Sequence, residues 1–283
     1  MGMTLKDLLK LVTPPVLIHL AKRLRGNRLT DAYGLSGDYR SWGEALAAST
    51  GYDSELILEK TRLSLLKVKK GEAVYERDSV LFDEIEYAWP LLAGLMWAAA
   101  RNGGTLNVLD FGGSLGSTYF QNRDFLSVLS RVRWNIVEQP RHVEVGKACF
   151  EDDRLNFYTD IAECLGETQP NIVLLSSVLQ YLEHPYTLLE QIMGLPCDCF
   201  IIDRTPFWTG PTDRLCVQNV PPSIYPANYP SWIFSSPHFH AYIDKASYQI
   251  VAKFDSLDNL KPPVKAFWQG IILQRRKPVR LQR

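Results

Sequence analysis

At 283 residues, with 46% apolar and 22% charged side chains, the chain has enough apolar surface for one large packed domain, and extensive disorder is excluded. Lys+Arg and Asp+Glu each total 31, so no global basic excess points to nucleic acid, and none is expected as a partner. The cysteines include one Cys-x-Cys, Cys197 and Cys199, but no paired Cys-x-x-Cys, which fits a reducing, cytoplasmic compartment and no metal site.

The first 28 residues carry Lys6, Lys10, Lys22, Arg23, Arg25 and Arg28 among leucines, against one acid, Asp7. Such a segment predicts either a helix docked on its own domain or, through residues 5–28, weak peripheral contact with the inner face of a membrane. Pro14-Pro15 restricts the binding element to residues 16–25. No small-residue cleavage site follows, so no secretory signal is read. Helices are then expected over 41–49, capped by Ser41, over 53–68, with Leu56, Ile57, Leu63 and Leu66 at helical spacing, and over 79–101, with Asp78 as N-cap. Residues 1–103 thus read as a helical extension. Its longest apolar run, 89–100, is shorter than the roughly 20 residues of a spanning helix.

From residue 104 the pattern changes. Short runs apolar on both faces, 106–111, 134–138, 155–158, 172–175 and 199–203, alternate with helix-compatible segments at 115–132, 141–150, 160–165 and 178–193. That alternation predicts an α/β, Rossmann-like, mostly parallel sheet. Runs 248–254 and 267–274, with Lys261-Pro262-Pro263 between them, lack a crossover helix and are expected to pair antiparallel. Residues 204–242, rich in proline and aromatics, read as a long irregular insertion, a lid or substrate-binding loop.

The strongest chemical signal is Asp110-Phe111-Gly112-Gly113-Ser114-Leu115-Gly116, after a buried strand and before a helix. Glycines there allow tight turning and close approach of a ligand to backbone N–H groups. A dinucleotide register would need glycine where Phe111 stands. The pattern Asp-x-Gly-x-Gly-x-Gly instead aligns Asp110, Gly112 and Gly116, with Ser114 in place of one glycine, and resembles the S-adenosylmethionine loop of class I methyltransferases. Glu138, ending the second strand, can accept both ribose hydroxyls, and Asp160, after the third, can accept from an adenine amino group; each can alternatively cap a helix.

More of the chain resembles a narrower family. Residues 71–82 (GEAVYERDSVLF), 109–119 (LDFGGSLGSTY), 137–140 (VEQP), 174–185 (LLSSVLQYLEHP), 201–207 (IIDRTPF) and 225–235 (YPANYPSWIFS) are similar to methyltransferases often encoded beside bacterial surface-polysaccharide genes. The likeness spans roughly residues 35–275. It implies a class I methyltransferase fold, with an antiparallel C-terminal strand, and S-adenosyl-L-methionine as cofactor; it names no acceptor.

Ser176 and Ser177, at the carboxyl end of the fourth strand, are candidates for the methionine end of the cofactor or for a helix cap. Arg77, in YERD, is a candidate clamp for the cofactor carboxylate or an ion-pair partner of Glu76 or Asp78. Methyl transfer to a hydroxyl needs a base. His238 and His240, at period-two spacing on an expected extended segment, are candidates for base or substrate contact, with packing the alternative; no Cys or carboxylate cluster accompanies them to make a metal site. His184 reads as a kink or cap before Pro185. Asp203, ending the fifth strand, is the alternative base. Trp208, Tyr229 and Trp232 can stack on the sugar ring of a small-molecule acceptor, a saccharide or a nucleotide- or lipid-linked sugar of surface-polysaccharide synthesis, or hold the insertion together. Two other classes compete: an NAD-dependent sugar oxidoreductase, disfavoured by Phe111 and the lack of a Tyr-x-x-x-Lys pair, and a non-catalytic cofactor-binding scaffold. Nothing in the pattern sets an oligomeric state.

Overall fold

The computed structural model describes residues 33–51, 54–221, 224–258 and 264–276. The basic segment 1–28 and the turn 261–263 lie outside them. Strands β4 (Thr105–Phe111), β5 (Arg131–Val137), β6 (Leu155–Tyr158), β7 (Ile172–Ser176) and β8 (Cys199–Trp208) run parallel. β12 (Ala266–Arg275) is antiparallel to β8, and β11 (Tyr248–Asp255) is antiparallel to β12. The resulting order β6-β5-β4-β7-β8-β12-β11 is a Rossmann-like sheet with reversed C-terminal strands, the class I methyltransferase architecture expected from the sequence. The strand order switches direction between β4 and β7, which opens a crevice at their carboxyl ends.

One face of the sheet is covered by α2 (Ser54–Lys69), α3 (Trp89–Arg101), α4 (Ser117–Leu126) and α5 (Pro140–Cys149), and the other by α6 (Ile161–Glu167), α7 (Pro185–Met193) and α8 (Ser236–Lys245). Strands covered on both sides need no polar face, hence the uninterrupted apolar runs. Buried Leu91, Leu92 and Leu95 anchor α3, each contributing roughly 1.5–3 kcal/mol. Helices α3, α5, α7 and α8 each have proline in the first turn, where no N–H partner is lost. The expected 178–193 helix is split: a 3-10 turn, Leu179–Tyr181, precedes α7, and His184 stands at the α7 N-cap without a side-chain capping bond. Pro185 disfavours helical geometry at the residue before it.

Three expectations need correction. The N-terminal part is not purely helical, nor detached. β1 (Gly34–Tyr39) pairs antiparallel with β9 (Arg214–Val220), and α1 (Trp42–Ala47) packs Ala45 against Leu215 and Val217. α1 itself forms as expected: Ser41 Oγ accepts from Glu44 N at 3.2 Å, while Glu44 reaches back to Arg40 N. Asp78 does not cap a helix. With Ser79 it forms the turn of a hairpin between β2 (Tyr75–Arg77) and β3 (Val80–Phe82), both turn residues at positive φ, and the helix starts only at Trp89. Two consecutive left-handed residues match the twist of a tight hairpin, a role Asp fills as readily as a cap.

The insertion is not irregular either. It contains the distal half of β8, then β9, β10 (Ala227–Ser235) and α8. β10 pairs parallel with β8 at Phe207 and Trp208, beyond the point where β7 has ended, so the sheet forks and continues as β10-β9-β1. The inserted strands thereby wall one side of the crevice.

Candidate functional site

β4 delivers the chain into the crevice, and the loop after it cannot be regular: Gly112, Ser114 and Gly116 have φ of 74°, 52° and 103°. A Cβ on Gly112 would come within 2.5 Å of Val178 Cγ2, and one on Gly113 within 2.5 Å of Asp110 Oδ2. Glycine is required at both positions by this crowding, and at Gly112 by φ as well. Ser114 occupies a conformation that explains why glycine is the usual choice there. Gly116 then serves as N-cap of α4, leaving the first-turn N–H groups beside the crevice.

Asp110 is 1% exposed, and its Oδ2 accepts from Trp134 Nε1 at 2.9 Å. Burial pushes its pKa up to about 7; the Trp134 bond opposes that, and nearby Glu138 adds to it.

The loop faces a cleft of about 510 Å3. Gly112, Gly113, Ser114, Ser176 and Ser177 line its floor. Ser177, at φ 55°, donates its N–H to Asp203 O, and its Oγ accepts from Gln180. The β2–β3 hairpin forms one wall through Glu76, Arg77 and Asp78; Gln218, Asn219, Tyr225 and Tyr229 form the opposite one.

Glu76, 1% exposed, accepts from Ser117 Oγ at 2.5 Å and Ser79 N at 2.6 Å. Burial raises its pKa to about 7 although those bonds favour the charged form. It was missed by sequence reasoning as a site residue, having been read only as an ion-pair partner for Arg77. The expected ion pairs of Arg77 with Glu76 or Asp78 do not form. Its Nη1 lies 3.2 Å from Glu86 Oε2 without a hydrogen bond, and its guanidinium stacks 5.6 Å from the Phe82 ring.

Asp203 is 2% exposed and lines the cleft. Its Oδ1 accepts from Ser256 Oγ at 2.7 Å and Arg204 N at 2.8 Å, while burial raises its pKa. Arg204, at φ 51°, is a second residue that sequence reasoning passed over. Its Nε meets Asp258 Oδ2 and its Nη2 meets Asp78 Oδ2, both at 2.6 Å, clasping the hairpin to the loop after β11. Opposite it, Tyr181 donates to Gln218 Oε1 at 2.9 Å and meets Tyr229 edge-on at 5.2 Å.

Other candidates stand elsewhere. His238 and His240 do not share one side of an extended segment; they are on α8, about 200° apart around the helix, and neither lines the cleft. His238 Nδ1 is 3.3 Å from both Asp213 Oδ2 and Tyr186 Oη, at a separate shallow groove. Burial lowers the pKa of His240. Of the three aromatics, only Tyr229 lines the cleft. Trp208 donates to Thr212 O under the Arg214 guanidinium, and Trp232 stacks on Trp42 at 6.2 Å and donates to Leu182 O. Both brace the insertion. Asp160 caps α6 through Glu163 N, and Glu138 directly follows β5 with its carboxylate on Gln139 N; both stand outside the cleft lining. Among the described residues no cluster of metal-ligating side chains occurs, and no helix is long and apolar enough to cross a membrane.

No protein-family model matches the chain, and no curated protein does. Among solved structures it is similar to a 1,6-didemethyltoxoflavin-N1-methyltransferase of Burkholderia thailandensis (16% identity, covering 86% of this chain and 94% of that one, TM-score 0.41). It is also similar to an S-adenosylmethionine-dependent methyltransferase of Clostridium acetobutylicum (10%, 68% and 93%, TM-score 0.45). A third likeness is the magnesium protoporphyrin IX methyltransferase of Synechocystis PCC 6803 (11%, 80% and 99%, TM-score 0.43).

Proposed function

We propose that the protein is an S-adenosylmethionine-dependent methyltransferase acting on a small molecule, with a saccharide as the acceptor. The observation that carries this reading is the loop after β4. It holds Gly112, Ser114 and Gly116 in left-handed geometry at the switch point of the sheet, above the buried Asp110 and facing the cleft.

The residues present suit the donor. Gly112, Gly113 and Ser114 leave backbone open to it, since side-chain bulk at the two glycines is sterically forbidden. Ser176 and Ser177 offer hydroxyls on the same floor. Arg77 Nη1, buried and without a hydrogen bond among the described residues, offers a guanidinium to a carboxylate. Glu138 and Asp160, just past β5 and β6, would meet the ribose and the adenine only by turning in from their bonds to Gln139 N and Glu163 N, outside the cleft lining. Bound S-adenosylmethionine supplies an electrophilic methyl group.

The chain's own work is to align the acceptor, exclude water and take a proton. Asp203 is the base in this reading. Ser256 and the Arg204 N–H fix its Oδ1, and among the described residues its Oδ2 accepts no hydrogen bond. Its raised pKa makes it a stronger base than an exposed carboxylate. Tyr181, Tyr229, Gln218 and Asn219 supply the aromatic faces and amides suited to a hydroxyl-bearing ring. Methyl incorporation from labelled S-adenosylmethionine into a panel of saccharides tests the reading. Transfer to a sugar supports it; transfer confined to non-carbohydrate acceptors removes the saccharide.

A further inference from the structure

The charges around the cleft are unequal. Asp78, Glu86 and Asp258 line it against Arg77 and Arg204, beside the buried carboxyls of Glu76, Asp110 and Asp203, with no lysine or histidine among the described lining residues. Recognition of a phosphate takes a cation with bonds to spare, or helix N–H groups free to receive it. Arg204 is already paired twice, its Nε with Asp258 and its Nη2 with Asp78, so its charge is offset by two carboxylates. Arg77 stands on the hairpin, paired with Glu86, and in the reading above it serves the donor's carboxylate. The α4 first-turn N–H groups adjoin the glycine loop, on the donor's side of the cleft, and Glu76 stands beside them on the Ser117 hydroxyl.

The wall left for an acceptor is uncharged. Gln218 is fixed by Tyr181, whose hydroxyl occupies its oxygen, and Asn219, Tyr225, Tyr229 and Trp268 complete the surface. Aromatic faces and amides in this proportion bind a neutral ring through stacking and hydroxyl hydrogen bonds. A pyrophosphate brought to the same wall would approach Asp203 and Asp258, while both arginines among the described lining residues are already paired with carboxylates, a like-charge juxtaposition that discriminates against it.

We propose that the acceptor half of the cleft selects an uncharged, hydroxyl-bearing ring, an unphosphorylated sugar unit, and rejects phosphorylated sugars and sugar nucleotides. The inference rests on the methyltransferase reading above, and the Arg204 clasp is its specificity device. Asp78 and Asp258 silence the guanidinium that would otherwise recruit phosphate. Releasing it should invert the preference.

The test uses the full chain with S-adenosylmethionine and matched acceptors: methyl glycosides, the corresponding sugar phosphates and the uridine diphosphate sugars. Binding of inorganic pyrophosphate to the protein loaded with S-adenosylhomocysteine is measured alongside. The wild-type protein should methylate at least one free glycoside, with kcat/KM at least about tenfold above its phosphorylated counterparts. The Asp78→Asn/Asp258→Asn variant should bind pyrophosphate about tenfold more tightly than wild type. A uridine diphosphate sugar preferred by the wild type, turnover of none of the sugars, or pyrophosphate affinity unchanged in the variant would overturn the inference. Failure of S-adenosylhomocysteine itself to bind would instead remove the methyltransferase reading on which it stands.

Discussion

Glu76 and Ser117 meet at 2.5 Å, tying the β2–β3 hairpin to the first residue of the helix that follows the glycine loop. The contact places a buried carboxyl in the cleft lining, between a hairpin turn and a helix N-terminus. Its proton follows from burial, which raises the pKa from 4.5 to about 7.

The linkage gives a signed expectation. A carboxyl whose pKa is higher in the folded state binds its proton more tightly there, so the folded protein loses stability as pH rises from about 4.5 through 7. Glu76→Gln removes that loss while keeping an acceptor for Ser79 and a donor for Ser117. The variant should match wild type in urea melts at pH 4.5 and exceed it at pH 8 by roughly 2–3 kcal/mol. Equal stability at both pH values would place the ionised carboxylate in a better-solvated site than the structure gives it.

Catalytic roles separate Asp203 from the histidines. Asp203→Asn should lower kcat by about 100-fold or more at unchanged S-adenosylmethionine affinity. His238→Asn and His240→Asn should leave kcat within about twofold, since neither side chain lines the cleft. Steady-state kinetics on a turned-over acceptor distinguishes these outcomes.

The two tryptophans outside the cleft should matter to stability alone. Trp232→Ala loses the Trp42 stack and the bond to Leu182 O, and is expected to cost about 3 kcal/mol in denaturant melts. Cofactor affinity by calorimetry should be unchanged. A large loss of affinity without a loss of stability would return Trp232 to the ligand site.

How much of this was legible in the chain depends on where the information lies. The five parallel strands were readable because doubly buried strands are apolar throughout, and the reversed end because no crossover helix separates its two runs. The glycine loop was readable because its backbone geometry restricts residue choice at each position. Gly34–Tyr39 was not, being an edge strand whose pairing partner β9 lies about 180 residues away in sequence, a contact that no local pattern carries. Asp78-Ser79 gave a cap signal and took a turn: a short polar side chain suits both roles, and tolerance of the αL region serves the turn. Glu76 and Arg204 became site residues only when β2–β3 folded over the cleft and β8 outran β7. His238 and His240 were misplaced because proline-rich sequence reads as extended, whereas Pro237 instead starts a helix that Ser235 caps.

Isothermal titration with S-adenosylmethionine, on wild type and Gly112→Ala, tests the central claim most directly. A Cβ at residue 112 would meet Val178 at φ 74°, so the loop cannot keep its shape. The account predicts one-to-one binding by wild type, an affinity at least about tenfold weaker in a variant whose circular dichroism remains wild-type, and no binding of NAD by either. Undiminished S-adenosylmethionine affinity in Gly112→Ala, or binding of NAD in its place by the wild-type protein, would contradict it.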